Sequence, residues 1–376
     1  MLLLSGPNMG GNELKYVTEC ITTGWVSSVG SYVDQFEKMA AEFAGTKYAV
    51  ATSSGTTALH IALILMDVQP DEYVIAPNIT FIATLNSIKY TGASPILIDT
   101  HPGSWQMDLD LLEEFLTNET EQKNGACYYK KDGRRIKVLM PVHVLGNMCD
   151  MDRLMALAQQ HNLIVIEDST EALGSYYKGQ HAGSFGLMGT FSYNGNKIIT
   201  TGGGGMIVTN DEALAKKAKH LTTQAKSDPF EYMHDEIGYN YRLVNVAAAM
   251  GVAQMEQLPG FIKRKHEIID FYKTALSGVG DISFQEVSAD VNPNWWLPTI
   301  KTEKQKQVLK LLNDSKMQSR PFWVPMNQLR MFANDIYYNK TDRSNYVYQH
   351  CLSIPCSTNI TNEELQAVAD KIKEAY

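Results

Sequence analysis

Through the first two thirds of the chain, short apolar runs alternate with stretches whose apolar residues recur at helical spacing. The runs Tyr48–Ser54, Tyr73–Pro77, Pro95–Thr100, Val138–Val144, Leu163–Asp168, Gly189–Tyr193 and Met206–Thr209 predict strands. Thr56–Met66 and Met151–His161 predict amphipathic helices between them. Such alternation predicts an α/β fold with a mainly parallel central sheet. Sheets of this kind bind ligands outside the carboxyl ends of their strands, so functional residues are expected just after the runs.

The pattern divides the chain into a large α/β domain over residues 1–250 and a smaller C-terminal α+β domain over 251–376. A helical pattern runs from Val246 to Thr274, with a break expected at Pro259-Gly260, and a last helix is predicted over Glu363–Tyr376. Thr117–Arg135 is polar and lysine-rich and reads as a surface excursion. The glycine run Gly202–Gly205 reads as a tight hairpin or bulge. No Lys-Ser or Lys-Thr follows it, so it is not a P-loop.

Composition narrows the classes. The chain has 376 residues, 44% hydrophobic and 20% charged, a composition ordinary for a soluble globular enzyme. A net charge of −8 argues against nucleic-acid binding, although a local pocket can still take an anion. The cysteines, Cys20, Cys127, Cys149, Cys351 and Cys356, are odd in number and include no C-x-x-C pair. Neither a disulfide framework nor a metal site is expected, and a reducing cytoplasm fits. Met1–Leu4 is too short and uncharged for a signal peptide, and no apolar run reaches membrane-spanning length.

The candidate chemistry lies at strand ends. Leu163–Asp168 runs into two carboxylates, and strand alternation turns Glu167 and Asp168 to opposite faces. An isolated Asp here would ordinarily be a helix cap, and Glu171 an N-terminal helix charge. Gly189–Lys197 is a strand followed by a small-residue turn and one lysine. Alone, such a lysine is a solvated charge; desolvated, it can lose its proton. Ser53–Thr57 lies between a strand and a helix and suits a phosphate, though plain N-capping would use the same residues. Ser192 could add a hydroxyl, and Phe81 could lie over a flat ring or belong to the core. A lysine for an aldehyde, an acid for a pyridine nitrogen, a phosphate cup and an aromatic lid are what pyridoxal 5′-phosphate requires.

The order of these features resembles fold-type I pyridoxal-phosphate transferases (aspartate aminotransferase-like), and within them the DegT/StrS-like nucleotide-sugar aminotransferases. The matching segments are Ser54–His60, Pro77–Phe81, Pro141–Gly146, Glu167–Glu171, Phe191–Lys197 and Gly238–Arg242, spread over almost the whole chain. The resemblance implies that Lys197 condenses with the cofactor aldehyde and that Asp168 partners the pyridine nitrogen. It implies Glu171 near the ring hydroxyl, Gly55, Thr56 and Ser192 on the phosphate, and Phe81 on the ring. Asn240 would be a phosphate ligand donated by a neighbouring subunit, so a homodimer with shared active sites is expected.

A narrower resemblance rests on Gly11–Val17, Gly24–Gly30, Gly195–Gly205 and Leu221–Lys226, which are similar to legionaminic-acid-pathway 4-aminotransferases. It implies a UDP-linked 2-acetamido-4-keto-6-deoxy hexose as substrate and glutamate as donor. Trp25, Val26, Ser27, Ser28 and Arg320 are the substrate-contact candidates; each could equally be a core or surface residue. C3 amination, a GDP- or dTDP-linked sugar, and a catalytically silent binding protein on the same fold are the alternatives. A lysine rather than a histidine at position 197 favours amino transfer over dehydration. Two positions depart from the family pattern: Gly203 stands where a Glu is usual, and Asn327 where many relatives carry His.

Overall fold

The computed structural model describes residues 1–228 and 230–376. Its central sheet contains β1 (Tyr48–Thr52), β2 (Tyr73–Pro77), β3 (Ser94–Ile98), β4 (Thr120–Lys123), β5 (Ala126–Tyr129), β6 (Arg135–Leu139), β7 (Ile164–Asp168), β8 (Met188–Ser192), β9 (Gly205–Thr209) and β10 (Ile336–Tyr338). The spatial order is β1-β9-β8-β7-β6-β2-β3-β10, and β5 and β4 extend from β6 as a hairpin. Pairings from β8 to β10 are parallel, whereas β9 is antiparallel to β1 and β8. The carboxyl ends of β1, β2, β6, β7 and β8 therefore share one edge of the sheet. The amino end of β9 lies at that edge too, because Gly205 pairs with both Thr52 and Ser192.

Helices cover both faces, so the inner strands are apolar throughout rather than alternating. All five residues of β2 are buried. Helices Gly55–Leu65 and Met151–Gln160 occupy connections between parallel strands, as the sequence pattern predicts, and Ala83–Tyr90 adds a third.

Three local expectations change. The run Val138–Val144 is a strand only to Leu139, and the strand begins earlier, at Arg135. Pro141 offers no N–H to the ladder; its carbonyl instead accepts from Asp168 N (2.9 Å), and Leu145 turns the chain at φ 59°. Thr117–Arg135 is not a surface excursion. It holds β4 and β5, joined by Asn124-Gly125 with φ of 50° and 75°, the left-handed pair of a type I′ hairpin. Cys127 and Tyr129 bury one side of that hairpin in the core. Finally, Asn245–Ala275 is a single helix that runs through Pro259. The missing hydrogen bond is offset by burial of Val252, Met255, Leu258 and Phe261 along one stripe.

The C-terminal third forms an antiparallel sheet ordered Ser283–Phe284, Thr299–Lys301, Cys351–Ser353, Arg320–Pro321, with helices Gln305–Asp314 and Asn362–Lys373. Thr361 and Glu364 close a capping box at the start of the last helix. The N-terminal residues join this region: Leu2 N donates to Lys316 O (2.9 Å) and Cys356 N to Leu4 O (2.7 Å). The β10 segment leaves it and adds to β3. Among the described residues, all five cysteines are unpaired and no helix is long and apolar enough to cross a membrane.

His181 fixes the loop after β7. Its Nε2 accepts from Gly174 N (2.8 Å), and Nδ1–H faces the Ala182 carbonyl. Burial lowers this imidazole to about 4. An unfolded histidine titrates near 6.5, so the native state favours the neutral ring. That stabilisation is whole above about pH 6.5 and is lost as pH falls toward 4, amounting at the limit to about 3 kcal/mol. Thermal melts between pH 7.5 and 4.5 should show a steep fall in Tm, and a shallower fall in H181Q. Parallel curves for the two proteins would contradict this.

Candidate active site

The sheet edge where the strand ends meet opens into a cavity of 390 Å³. Its lining includes Ser54, Gly55 and Thr56 from the end of β1, Phe81 after β2, Thr170 after β7, Ser192, Asn196 and Lys197 after β8, and Gly203 and Gly204 before β9. The C-terminal region closes the other side with Trp296, Arg320, Phe322 and Trp323. The volume lies within the range of small-molecule and cofactor sites.

Ser54 caps the helix that starts at Gly55. Its hydroxyl accepts from Thr57 N (3.2 Å), and Thr57 Oγ1 accepts from Ser54 N (3.0 Å). Ser54 and Thr57 therefore form a reciprocal cap, which leaves the Gly55 and Thr56 N–H groups at the head of the helix without helical acceptors. Together with the Ser192 hydroxyl they suit an anion at the positive end of the helix dipole. Gly55 is required by close approach: a Cβ there would meet Ser192 Cβ at 2.8 Å and Thr170 Cγ2 at 3.1 Å.

Strand alternation separates the two carboxylates of β7. Glu167 is fully buried and structural, accepting from His143 Nε2 (2.9 Å) and from the N–H groups of Gly183, Phe185 and Gly186 (2.8, 2.7 and 2.7 Å). Asp168 turns to the opposite side. Its Oδ2 accepts from Thr84 Oγ1 (2.7 Å), and its Oδ1 from Thr170 Oγ1 (2.7 Å) and Thr170 N (3.2 Å). These donors hold a carboxylate that is 2% exposed beneath the cavity wall. Glu171 is buried beside it and accepts from Leu145 N (2.8 Å).

Lys197 lies across from these acids. Its amine is 3.9 Å from the centroid of the Trp296 ring. Loss of water lowers its proton affinity, against the opposing pull of Glu171 and then Asp168. Burial raises the Glu171 carboxyl to about 7, against the pull of Lys197. A lysine readier to deprotonate and a carboxyl readier to protonate are the conditions for nucleophilic amine chemistry near neutrality.

Arg320 lines the cavity and is exposed; its Nη1 donates only to the neighbouring Ser319 carbonyl (3.3 Å), and it has no carboxylate partner among the described residues. Trp25, Val26, Ser27 and Ser28 lie elsewhere. Asn245, at the start of the long helix, straps this loop through Nδ2 to Trp25 O (2.7 Å) and N to Ser27 O (2.5 Å). Trp25 and Ser28 face a separate cavity with Glu19, Tyr32 and Lys219. Asn240 is exposed on a segment tied to β1 through Ser53 N and Tyr241 O (2.6 Å), and it does not reach the Lys197 cavity of its own chain.

Both departures have structural readings. A Cβ at Gly203 would meet no atom within 4 Å, so glycine leaves that stretch of wall open. Asn327 Oδ1 accepts from Asn78 Nδ2 (2.9 Å) and Asn327 N donates to Asn78 Oδ1 (3.0 Å), which anchors the segment that carries Phe81. Thr84, Thr170, Asn196 and Trp296 were not predicted from sequence. Thr84 and Thr170 lie within a helical turn of Phe81 and Asp168, a signal available in the spacing, whereas Trp296 is 99 residues from Lys197 and gave none.

The residues present fit pyridoxal 5′-phosphate. There is an unpartnered helix start for its phosphate, a desolvated amine for its aldehyde and a buried, hydrogen-bonded acid for its ring nitrogen. Comparison with known proteins agrees. The DegT/DnrJ/EryC1/StrS aminotransferase family model matches residues 7–373. The chain is 38% identical over 373 residues to the GDP-perosamine synthase of Escherichia coli O157:H7, covering 98% of this chain and 97% of that one. Among solved structures it is similar to S. venezuelae DesV, with a TM-score of 0.86, 26% identity and coverage of 96% and 94%. Helicobacter pylori PseC, an aminotransferase of pseudoaminic acid biosynthesis, shares the fold at a TM-score of 0.88 and 24% identity, covering 100% and 99%. The chain belongs to the DegT/DnrJ/EryC1/StrS family and is a pyridoxal-phosphate-dependent nucleotide-sugar aminotransferase.

Proposed function

We propose that this enzyme transfers the amino group of glutamate to C4 of a nucleotide-linked 4-keto-6-deoxy hexose, with Lys197 as the amine that holds the cofactor. The observation that carries the reading is the desolvated Lys197 amine at the wall of a cavity that is also lined by an open helix start. Bound pyridoxal phosphate supplies an aldehyde and an electron-withdrawing ring. The Gly55 and Thr56 N–H groups and the Ser192 hydroxyl bind its phosphate. Asp168, oriented by Thr84 and Thr170, keeps the ring nitrogen protonated, and Phe81 covers the ring. Once released, Lys197 Nζ takes the proton from the α-carbon of the donor. In the second half of the reaction it returns a proton to the sugar carbon that receives the amine.

Arg320, a cation in the cavity with no carboxylate partner among the described residues, is suited to the donor carboxylate or the nucleotide diphosphate. The resemblance to legionaminic-acid-pathway enzymes supports a UDP-linked 2-acetamido sugar for cell-surface glycan synthesis. A GDP-linked sugar is the second reading, favoured by 38% identity to a GDP-perosamine synthase. Single-turnover assays of the pyridoxamine-loaded enzyme with UDP- and GDP-linked 4-keto sugars decide between them. Amination of 2-oxo acids alone would overturn both.

The active unit is proposed to be a homodimer. Trp25, Val26, Val29 and Val244 are apolar and 40% or more exposed, and Asn240 is offered to solvent on the same segment that ends at Val244. Exposed apolar clusters of this kind suit a second copy.

Replacing Lys197 by Ala should lower kcat by roughly a thousandfold or more, the scale of a lost acid–base group. D168N should bind cofactor yet turn over roughly a hundredfold slower, as measured by steady-state kinetics with absorbance confirming loading. Shared sites make a further forecast. Mixed refolding of K197A with N240A subunits should raise activity above that of either variant alone, by up to about a quarter of wild type, because half the dimers are mixed and each holds one intact site. No recovery on confirmed mixed dimers would show that the sites are not shared.

A further inference from the structure

Trp296 is bound on three sides. Its indole Nε1 donates to Asn196 O (2.7 Å), one residue before Lys197. Its backbone N–H donates to Asn294 Oδ1 (2.8 Å), and the Asn294 amide donates in turn to the carbonyls of Glu171 and Leu173 (both 2.9 Å). Its carbonyl accepts from Lys265 Nζ (2.9 Å), an ammonium that is 1% exposed and also donates to Cys356 O (2.7 Å). The indole, itself 3% exposed, is thereby locked to the Lys197 turn, to the loop that carries Glu171, and to the C-terminal region at once. This fixed ring presents its face to the Lys197 amine at 3.9 Å from the centroid.

From this geometry we propose that Trp296 is a further catalytic residue, its indole face being the station on which the Lys197 ammonium rests between taking up a proton and giving it back. The reaction needs such a station. Lys197 leaves the cofactor in each half-reaction, carries a proton, and must neither wander into solvent nor lock onto a carboxylate. A salt bridge to Asp168 or Glu171 would hold the proton too tightly and occupy groups assigned to the cofactor. The negative face of an indole stabilises a desolvated cation without accepting its proton. The charged groups around the amine are Asp168 and Glu171 on the β7 side and Arg320 in the cavity lining, with Lys265 on the Trp296 backbone carbonyl. The inference rests on the assignment of Lys197 above, but its test uses no cofactor, so the two fail separately.

The test is the proton affinity of Lys197 in the cofactor-free, full-length chain. Trace acetylation with acetic anhydride across pH, read on the Lys197 peptide by mass spectrometry, gives its titration midpoint. Proteins in which all five tryptophans are replaced biosynthetically by mono- and trifluorotryptophan keep the indole shape and weaken its face, and the same series in W296F subtracts the contribution of the other four. The midpoint should fall with each step, by about one pH unit for the trifluorinated protein, a roughly tenfold change in protonation ratio. W296F should lie between wild type and W296L. A midpoint indifferent to fluorination overturns the proposal, and a shift in W296L without one in the fluorinated series shows that the indole only fills space.

Discussion

Lys197 is held where water is scarce and charge is balanced by design of the surrounding backbone. Removing water alone lowers the proton affinity of its amine, while Glu171 and Asp168 restore part of it. The same exchange raises Glu171 to about 7. Burial drives both shifts and the attraction between the two groups limits each, so the balance depends on strand ends that bring residues 168, 171 and 197 together across the sheet edge. The rest of the site follows from that meeting. Asp168 needs its two hydroxyl donors because a bare carboxylate at 2% exposure would be costly. Gly55 needs to be glycine because the helix start must approach Ser192 and Thr170 closely.

The fold supplies the meeting through direction. Parallel strands β6, β7 and β8 end on one edge, and the antiparallel β9 starts there, so loops from β1, β2, β7, β8 and β9 converge. The C-terminal region then closes the cavity through Trp296, Arg320 and Trp323, positioned by the small antiparallel sheet and the buried Lys265. Binding groups for a cofactor come from the first part of the chain, and much of the opposite wall from the last.

Much of this was legible along the chain because it depends on local pattern. Apolar runs ending in Asp168, Ser192 and the Ser54-Gly55-Thr56 turn mark both the strands and their functional ends. Four features were not legible. Pro259 sits inside a continuous helix because the burial of Leu258 and Phe261, a tertiary quantity, outweighs local propensity. The hairpin at Asn124-Gly125 lay in a polar, lysine-rich stretch whose single buried side is carried by Cys127 and Tyr129. The loop Trp25–Ser28 follows the long helix through Asn245 rather than the Lys197 cavity, a contact across 220 residues. Trp296 meets Lys197 only after the whole chain has folded.

The most direct measurement is borohydride reduction of the holoenzyme followed by peptide mapping. The account predicts a single phosphopyridoxyl group, on the peptide that contains Lys197, with the visible absorbance of the cofactor lost on reduction. A reduced cofactor attached to any other lysine, or no attachment at all, would contradict it.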